Sequence, residues 1–154
     1  MKIVVVGTGY VGLVTGTCFA ETGNFVTCVD IDNRKIEKLS KGEITIYEPG
    51  LEKIFIRNLK ESRLKFTTDL KTVIDTADII FLCLPTPPGE NGEADLKYVL
   101  NVADKLGELL NSYKVIVNKS TVPVGTTNLV KAKIAEKYKG DFDVVSNPEF
   151  LREG

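Results

Sequence analysis

Gly7, Gly9 and Gly12 stand in the pattern G-x-G-x-x-G directly after an apolar run, and Asp30 follows Gly12 by 18 residues. Glycines at these offsets serve three purposes: Gly7 permits a tight turn, Gly9 lets the backbone approach a pyrophosphate, and Gly12 lets a helix pack closely on a strand. An acid about 20 residues further on can accept from ribose hydroxyls. The helix that starts here would turn unpaired N–H groups and its positive dipole end toward phosphates. A glycine-rich turn in a sheet that binds no nucleotide is the alternative reading. An acid at position 30 repels a 2′-phosphate, so NAD is favoured over NADP. Arg34 and Lys35 either blunt that preference by touching the cofactor or form the solvated first turn of a helix.

Three further segments carry reactive groups: the Pro-Thr-Pro loop around Thr86, Ser120-Thr121-Val122-Pro123-Val124-Gly125, and Asn147-Pro148-Glu149-Phe150. Any one of them alone reads as turn chemistry. All three follow apolar runs, and together they could bring a hydroxyl (Thr121) and a carboxylate (Glu149) to one place, to hold or deprotonate a substrate through water. The chain has no histidine, which removes the commonest general base, the commonest metal ligand and the Ser-His or Cys-His nucleophile pairs. The three cysteines form no CxxC pair. Cys28 and Cys83 lie in apolar runs and Cys18 on what the spacing makes the inward face of the first helix, so all three read as core hydrophobes.

The elements that must position these groups alternate. Apolar runs at 3–6, 25–29, 64–67, 79–84, 114–118 and 142–145 read as strands. Helical spacing covers 10–22 with Val11, Val14, Cys18 and Phe19, then 33–40, a stretch from Leu51 to Leu59, and a brief helix after Asp69. It covers a strongly amphipathic stretch from Leu96 to Leu110 capped by Asp95, and 126–138 carrying Leu129, Val130 and Ile134. This pattern predicts an α/β fold, a Rossmann-like doubly wound, mostly parallel sheet of about six strands. Ligands of such sheets bind at the carboxyl ends of the strands. With 154 residues, a single domain over 1–154 is expected. Net charge is −1 with no basic patch, which argues against a nucleic-acid partner. The first apolar run is too short for a secretory signal or a membrane span, and the odd cysteine count suggests a reducing compartment, so a cytoplasmic location is expected.

Six motifs taken in order resemble the UDP-glucose/GDP-mannose dehydrogenase family. They are Gly7-Thr8-Gly9-Tyr10-Val11-Gly12-Leu13, Val29-Asp30-Ile31-Asp32 with Lys35, Tyr47-Glu48-Pro49-Gly50-Leu51, Pro85-Thr86-Pro87, the Ser120–Gly125 segment, and Asn147-Pro148-Glu149-Phe150-Leu151-Arg152-Glu153-Gly154. The resemblance implies that Gly7, Gly9, Tyr10, Val11 and Gly12 cradle the pyrophosphate of NAD, with Asp30 and Lys35 at the adenosine ribose. It also implies that Thr86 and Thr121 border the nicotinamide half, that Thr121 and Glu149 help position a catalytic water, and that Glu153 contacts the cofactor. The implied reaction oxidises the C6 alcohol of a nucleotide sugar such as UDP-glucose to a carboxylate with two NAD, through a covalent intermediate on a cysteine. None of Cys18, Cys28 or Cys83 matches that cysteine. The expectation is therefore an N-terminal cofactor domain of a longer, homodimeric enzyme that binds NAD but is inactive alone. A dehydrogenase of another nucleotide sugar such as GDP-mannose, an NAD(H)-sensing regulatory module and a methyltransferase are the alternatives, and the Ser120–Gly125 and Asn147–Phe150 loops count against the sensing module.

Overall fold

In the computed structural model of the chain, residues 1–89 and 92–149 are described. Six short strands form one sheet: β1 (Lys2–Val6), β2 (Phe25–Val29), β3 (Leu64–Thr67), β4 (Ile79–Leu82), β5 (Val115–Asn118) and β6 (Asp143–Ser146). All five pairings are parallel and the order is β3-β2-β1-β4-β5-β6. Parallel neighbours need crossovers, and the helices α1 (Tyr10–Glu21), α2 (Asn33–Ser40), α3 (Leu51–Lys60), α4 (Lys71–Ile74), α5 (Lys97–Leu109) and α6 (Thr126–Ala135) supply them.

Alternate residues of β1 feed two separate cores, as a strand covered on both faces requires. Val4 and Val6 pack with Val99, Ala103 and Leu106 of α5 and with Val130 and Ile134 of α6. Ile3 and Val5 pack with Leu13 and Ala20 of α1, Leu39 of α2 and Phe55 of α3. The strand order reverses between β1 and β4, so the loops after these two strands diverge and leave a crevice at their carboxyl ends.

The hydrophobic spacing misassigns two faces. In α1 the buried residues are Gly12, Leu13, Gly16, Thr17 and Ala20, while Cys18 is exposed and Val11 and Val14 are half-buried. The cause is close approach of helix and sheet. A Cβ on Gly12 would stand 2.0 Å from the Gly7 carbonyl oxygen, and one on Gly16 would stand 2.6 Å from Cys28 Sγ. Small residues therefore hold the closest contacts of the inward face, with Leu13 the one large apolar residue of α1 fully buried beside them. In α6, Val130 and Ile134 are buried as the spacing predicts, but Leu129 is 52% exposed. Cys28 and Cys83 lie in the core.

Candidate functional site

The loops at the carboxyl ends of β1, β2, β4 and β5 line a cleft of about 920 Å³, within the range of small-molecule and cofactor sites. Its wall includes Gly7, Gly9, Tyr10, Val11, Asp30, Lys35, Thr86, Thr121 and Glu149. Gly12 sits beneath, in the contact between helix and strand. Every expected site residue that is described thus lies in one crevice or directly under it. Glu153, along with Phe150 to Gly154, lies outside the described residues.

The three glycines are required for different reasons. Gly7 has φ +100°, and a Cβ there would lie 2.2 Å from the Cys83 carbonyl oxygen, so turn and crowding both exclude a side chain. Gly12 is excluded by the Gly7 carbonyl alone. Gly9 has φ −70° and ψ −170°, an ordinary extended backbone, and a Cβ there would meet nothing within 4 Å. Neither strain nor crowding within the chain calls for glycine at position 9. The space a side chain would fill opens into the cleft at the N-terminus of α1, where Gly9 offers no side-chain cap to the first helical N–H groups. That is the shape and polarity a pyrophosphate needs, and the residues fit NAD.

Asp30, just past β2, is tied into the turn after β1. Its Oδ2 accepts from the Thr8 amide at 2.9 Å, from the Thr8 hydroxyl at 2.6 Å and from Lys35 Nζ at 3.4 Å. Its Oδ1 accepts from the Asp32 amide at 3.1 Å. Burial pushes the Asp30 carboxyl up, but the Thr8 hydroxyl and amide, the Asp32 amide and the Lys35 ammonium outweigh it and hold the group below its ordinary value. Asp32 caps α2 by accepting from the Arg34 and Lys35 amides, and the helix so started carries the Lys35 ammonium back to Asp30. Tyr10 turns its hydroxyl to the Glu48 carboxylate, which joins the start of α1 to the Tyr47–Gly50 turn.

The other end of the cleft is assembled from the loops after β4, β5 and β6. Thr86 donates its hydroxyl to the Thr121 carbonyl at 2.9 Å, and Thr121 donates to the Glu149 carbonyl at 3.1 Å. The Glu149 carboxylate stands 3.3 Å from Lys119 Nζ. Ser120, 6% exposed, receives the Leu84 amide at 2.9 Å and donates to the Leu84 carbonyl at 2.8 Å, latching the end of β5 to the end of β4. Thr86, Thr121 and Glu149 therefore do come together, but through main-chain carbonyls. The carboxylate itself faces a lysine.

Sequence reasoning missed Thr8, Lys119 and the latching role of Ser120. Thr8 occupies a variable position of the glycine pattern, and its only distinguishing feature is being polar and 1% exposed, which spacing does not reveal. Lys119 directly follows an apolar strand, a position that reads as a strand end. Burial pushes the Cys83 thiol up to about 12, with Lys119 pulling weakly the other way, and burial also raises the Cys28 thiol, so neither is a thiolate nucleophile. Among the described residues no cluster of three or more His, Cys, Asp or Glu side chains could hold a metal ion.

The whole chain, residues 1–154, matches the model of the UDP-glucose/GDP-mannose dehydrogenase family, NAD binding domain. It is 58% identical over 155 residues to UDP-glucose 6-dehydrogenase TuaD of Bacillus subtilis and 49% identical over 156 residues to UDP-glucose 6-dehydrogenase of Rhizobium meliloti. The matches cover 99% and 100% of this chain but only 34% and 36% of those proteins. The chain thus spans about a third of the length of these relatives. Among solved structures it superposes with a TM-score of 0.95 and 37% identity on a GDP-mannose dehydrogenase from Pseudomonas aeruginosa captured as a ternary complex. A UDP-glucose dehydrogenase from Pyrobaculum islandicum gives 0.94 and 41%. Each match covers 99% of this chain and 37% of the other. A cleft open over Gly9, beside an acid at the end of β2 whose carboxyl is held below its ordinary value, agrees with that kinship, and the chain belongs to the UDP-glucose/GDP-mannose dehydrogenase family as its NAD-binding domain.

Proposed function

We propose that residues 1–154 are the cofactor domain of an enzyme that oxidises the C6 alcohol of UDP-glucose to UDP-glucuronate, consuming two NAD and one water. The observation that carries this reading is the conjunction at the carboxyl edge: open space over Gly9 and the Asp30 carboxylate pinned next to it. NAD supplies the hydride acceptor. The chain's own residues bind and orient it: the N–H groups at Tyr10 and Val11 face the pyrophosphate, and Asp30 accepts from an adenosine ribose hydroxyl with Lys35 beside it. Thr86 and Thr121 border the nicotinamide half. Asp30, held ionised, opposes a 2′-phosphate, so NAD is preferred over NADP.

Thr121 and Glu149 orient a water at the substrate side, where the Lys119 ammonium stands 3.3 Å from the Glu149 carboxylate and aims it. Glu153 adds a cofactor contact. The cysteine nucleophile and much of the sugar site come from sequence outside this chain, which spans about a third of the relatives it matches. UDP-glucose is favoured over GDP-mannose because the two UDP-glucose 6-dehydrogenases share 58% and 49% of aligned residues, against 37% for the GDP-mannose enzyme. The full-length enzyme works as a homodimer. Three unpaired cysteines suit a reducing cytoplasm, and among the described residues no helix is long and apolar enough to cross a membrane.

Calorimetry with NAD tests the binding site. Asp30→Ala is expected to weaken binding by about 1.5–3 kcal/mol, the value of a hydrogen bond to a charged group. An unchanged affinity would remove Asp30 from the site. Steady NADH formation from UDP-glucose by this chain alone would refute the division of labour.

A further inference from the structure

Thr8 is the only side chain between two glycines that the cofactor must approach, yet it is 1% exposed and points away from solvent. Its amide and its hydroxyl both donate to one atom, Asp30 Oδ2, at 2.9 and 2.6 Å. Lys35 Nζ is a third donor to that oxygen at 3.4 Å. A carboxylate offers about four lone-pair sites over its two oxygens, so Oδ2 has no acceptor capacity left. Among the described residues Oδ1 accepts only from the Asp32 amide, at 3.1 Å, and keeps one site. The Asp30 backbone is fixed as well, its amide donating to the Thr67 carbonyl at 3.2 Å.

We infer that Thr8 is a positioning residue for cofactor selection: it locks Asp30 through Oδ2 and leaves Oδ1 as the single oxygen that accepts from the adenosine ribose. The inference rests on the reading of Asp30 as the ribose acceptor. It adds that this acid does not embrace both ribose hydroxyls, and that selection against a 2′-phosphate depends on a hydroxyl in the glycine turn. A carboxylate without that lock can swing off the ribose edge. It then binds NAD less well and repels NADP less.

The test measures NAD and NADP affinities of the chain by calorimetry for Thr8→Val, Thr8→Ser and Asp30→Ala, with thermal melts alongside. Thr8→Val keeps the shape and removes the donor. It is expected to weaken NAD about tenfold, as befits one lost charge-assisted bond, and to narrow the ratio of NAD to NADP affinity. Thr8→Ser restores the donor and is expected to return both to within about threefold of the parent. A purely structural role would lower the melting temperature without changing the NAD to NADP ratio. If Thr8→Val does not melt cooperatively, Thr8→Ala replaces it and must show the same narrowing. A Thr8→Val or Thr8→Ala protein that binds and discriminates like the parent, while Asp30→Ala binds weakly, overturns this inference and leaves the reading of Asp30 standing. Unchanged binding in Asp30→Ala overturns both.

Discussion

At the Gly7–Asp30 end of the cleft, Thr8, Asp30, Asp32 and Lys35 form one connected set of hydrogen bonds joining the turn after β1 to the start of α2. At the Thr121–Glu149 end the hydroxyls of Thr86 and Thr121 donate to main-chain carbonyls of neighbouring loops, and Thr121 is exposed. The first arrangement is preorganised: its carboxyl is held below its ordinary value, and Gly7 and Gly12 have no room for a side chain. The second keeps its loops in place with Thr86 and Glu149 half-buried and Thr121 exposed, and one carboxylate steered by Lys119. A domain that binds a cofactor needs the first kind of site complete. The second kind can be finished by other parts of an enzyme.

Substitutions at the glycines should separate the two regions most sharply. Gly7→Ala combines a positive φ with a Cβ 2.2 Å from the Cys83 carbonyl oxygen, and is expected to destabilise the fold by about 3 kcal/mol or more. A thermal melt within a few degrees of the parent would show that the turn is softer than its geometry implies.

Gly9→Ala sets the two effects against each other. The extended backbone and open surroundings predict a fold as stable as the parent or about 0.4–1 kcal/mol more stable, while the new methyl group fills the pyrophosphate space and weakens NAD. Retained NAD affinity would place the pyrophosphate elsewhere.

Thr121→Val and Glu149→Gln, at the second region, are expected to change NAD affinity by about threefold or less. A loss comparable to that of Asp30→Ala would mean that contacts around the nicotinamide half hold the cofactor as strongly as the adenosine end does.

The smallest effect expected is that of pH. Asp30 has its carboxyl held below the ordinary value of about 3.9, so its contribution is complete above that value and fades only as pH falls through the lower folded value. NAD affinity should be flat between pH 5 and 8. A decline beginning near pH 6 would mean that another group controls binding.

The strands and the glycine-to-acid spacing could be read from the chain because both depend on neighbours in sequence: β-branched runs such as Ile3–Val6, and a turn whose offsets are fixed by backbone geometry. The inward face of α1 could not. Hydropathy weights apolar residues such as Val14 and Cys18, whereas the buried face of α1 runs through Gly12, Leu13, Gly16 and Ala20, with glycine where the Gly7 carbonyl and the Cys28 sulfur come too close for a side chain. Leu129, though apolar, lies off the stripe of α6 that meets the core, which runs through Val130 and Ile134. Asp30 was visible from its spacing, but the bonds of Thr8 to Asp30 and of Lys119 to Glu149 span 22 and 30 positions and exist only once the sheet forms.

Titration of the chain with NAD and with NADP in the calorimeter is the most direct test of the claim that the Gly7–Asp30 region anchors the adenosine and pyrophosphate of a bound NAD and selects against a 2′-phosphate. One NAD is expected to bind per chain, with NADP weaker by about tenfold or more. No heat with NAD, or equal affinity for the two nucleotides, would contradict it.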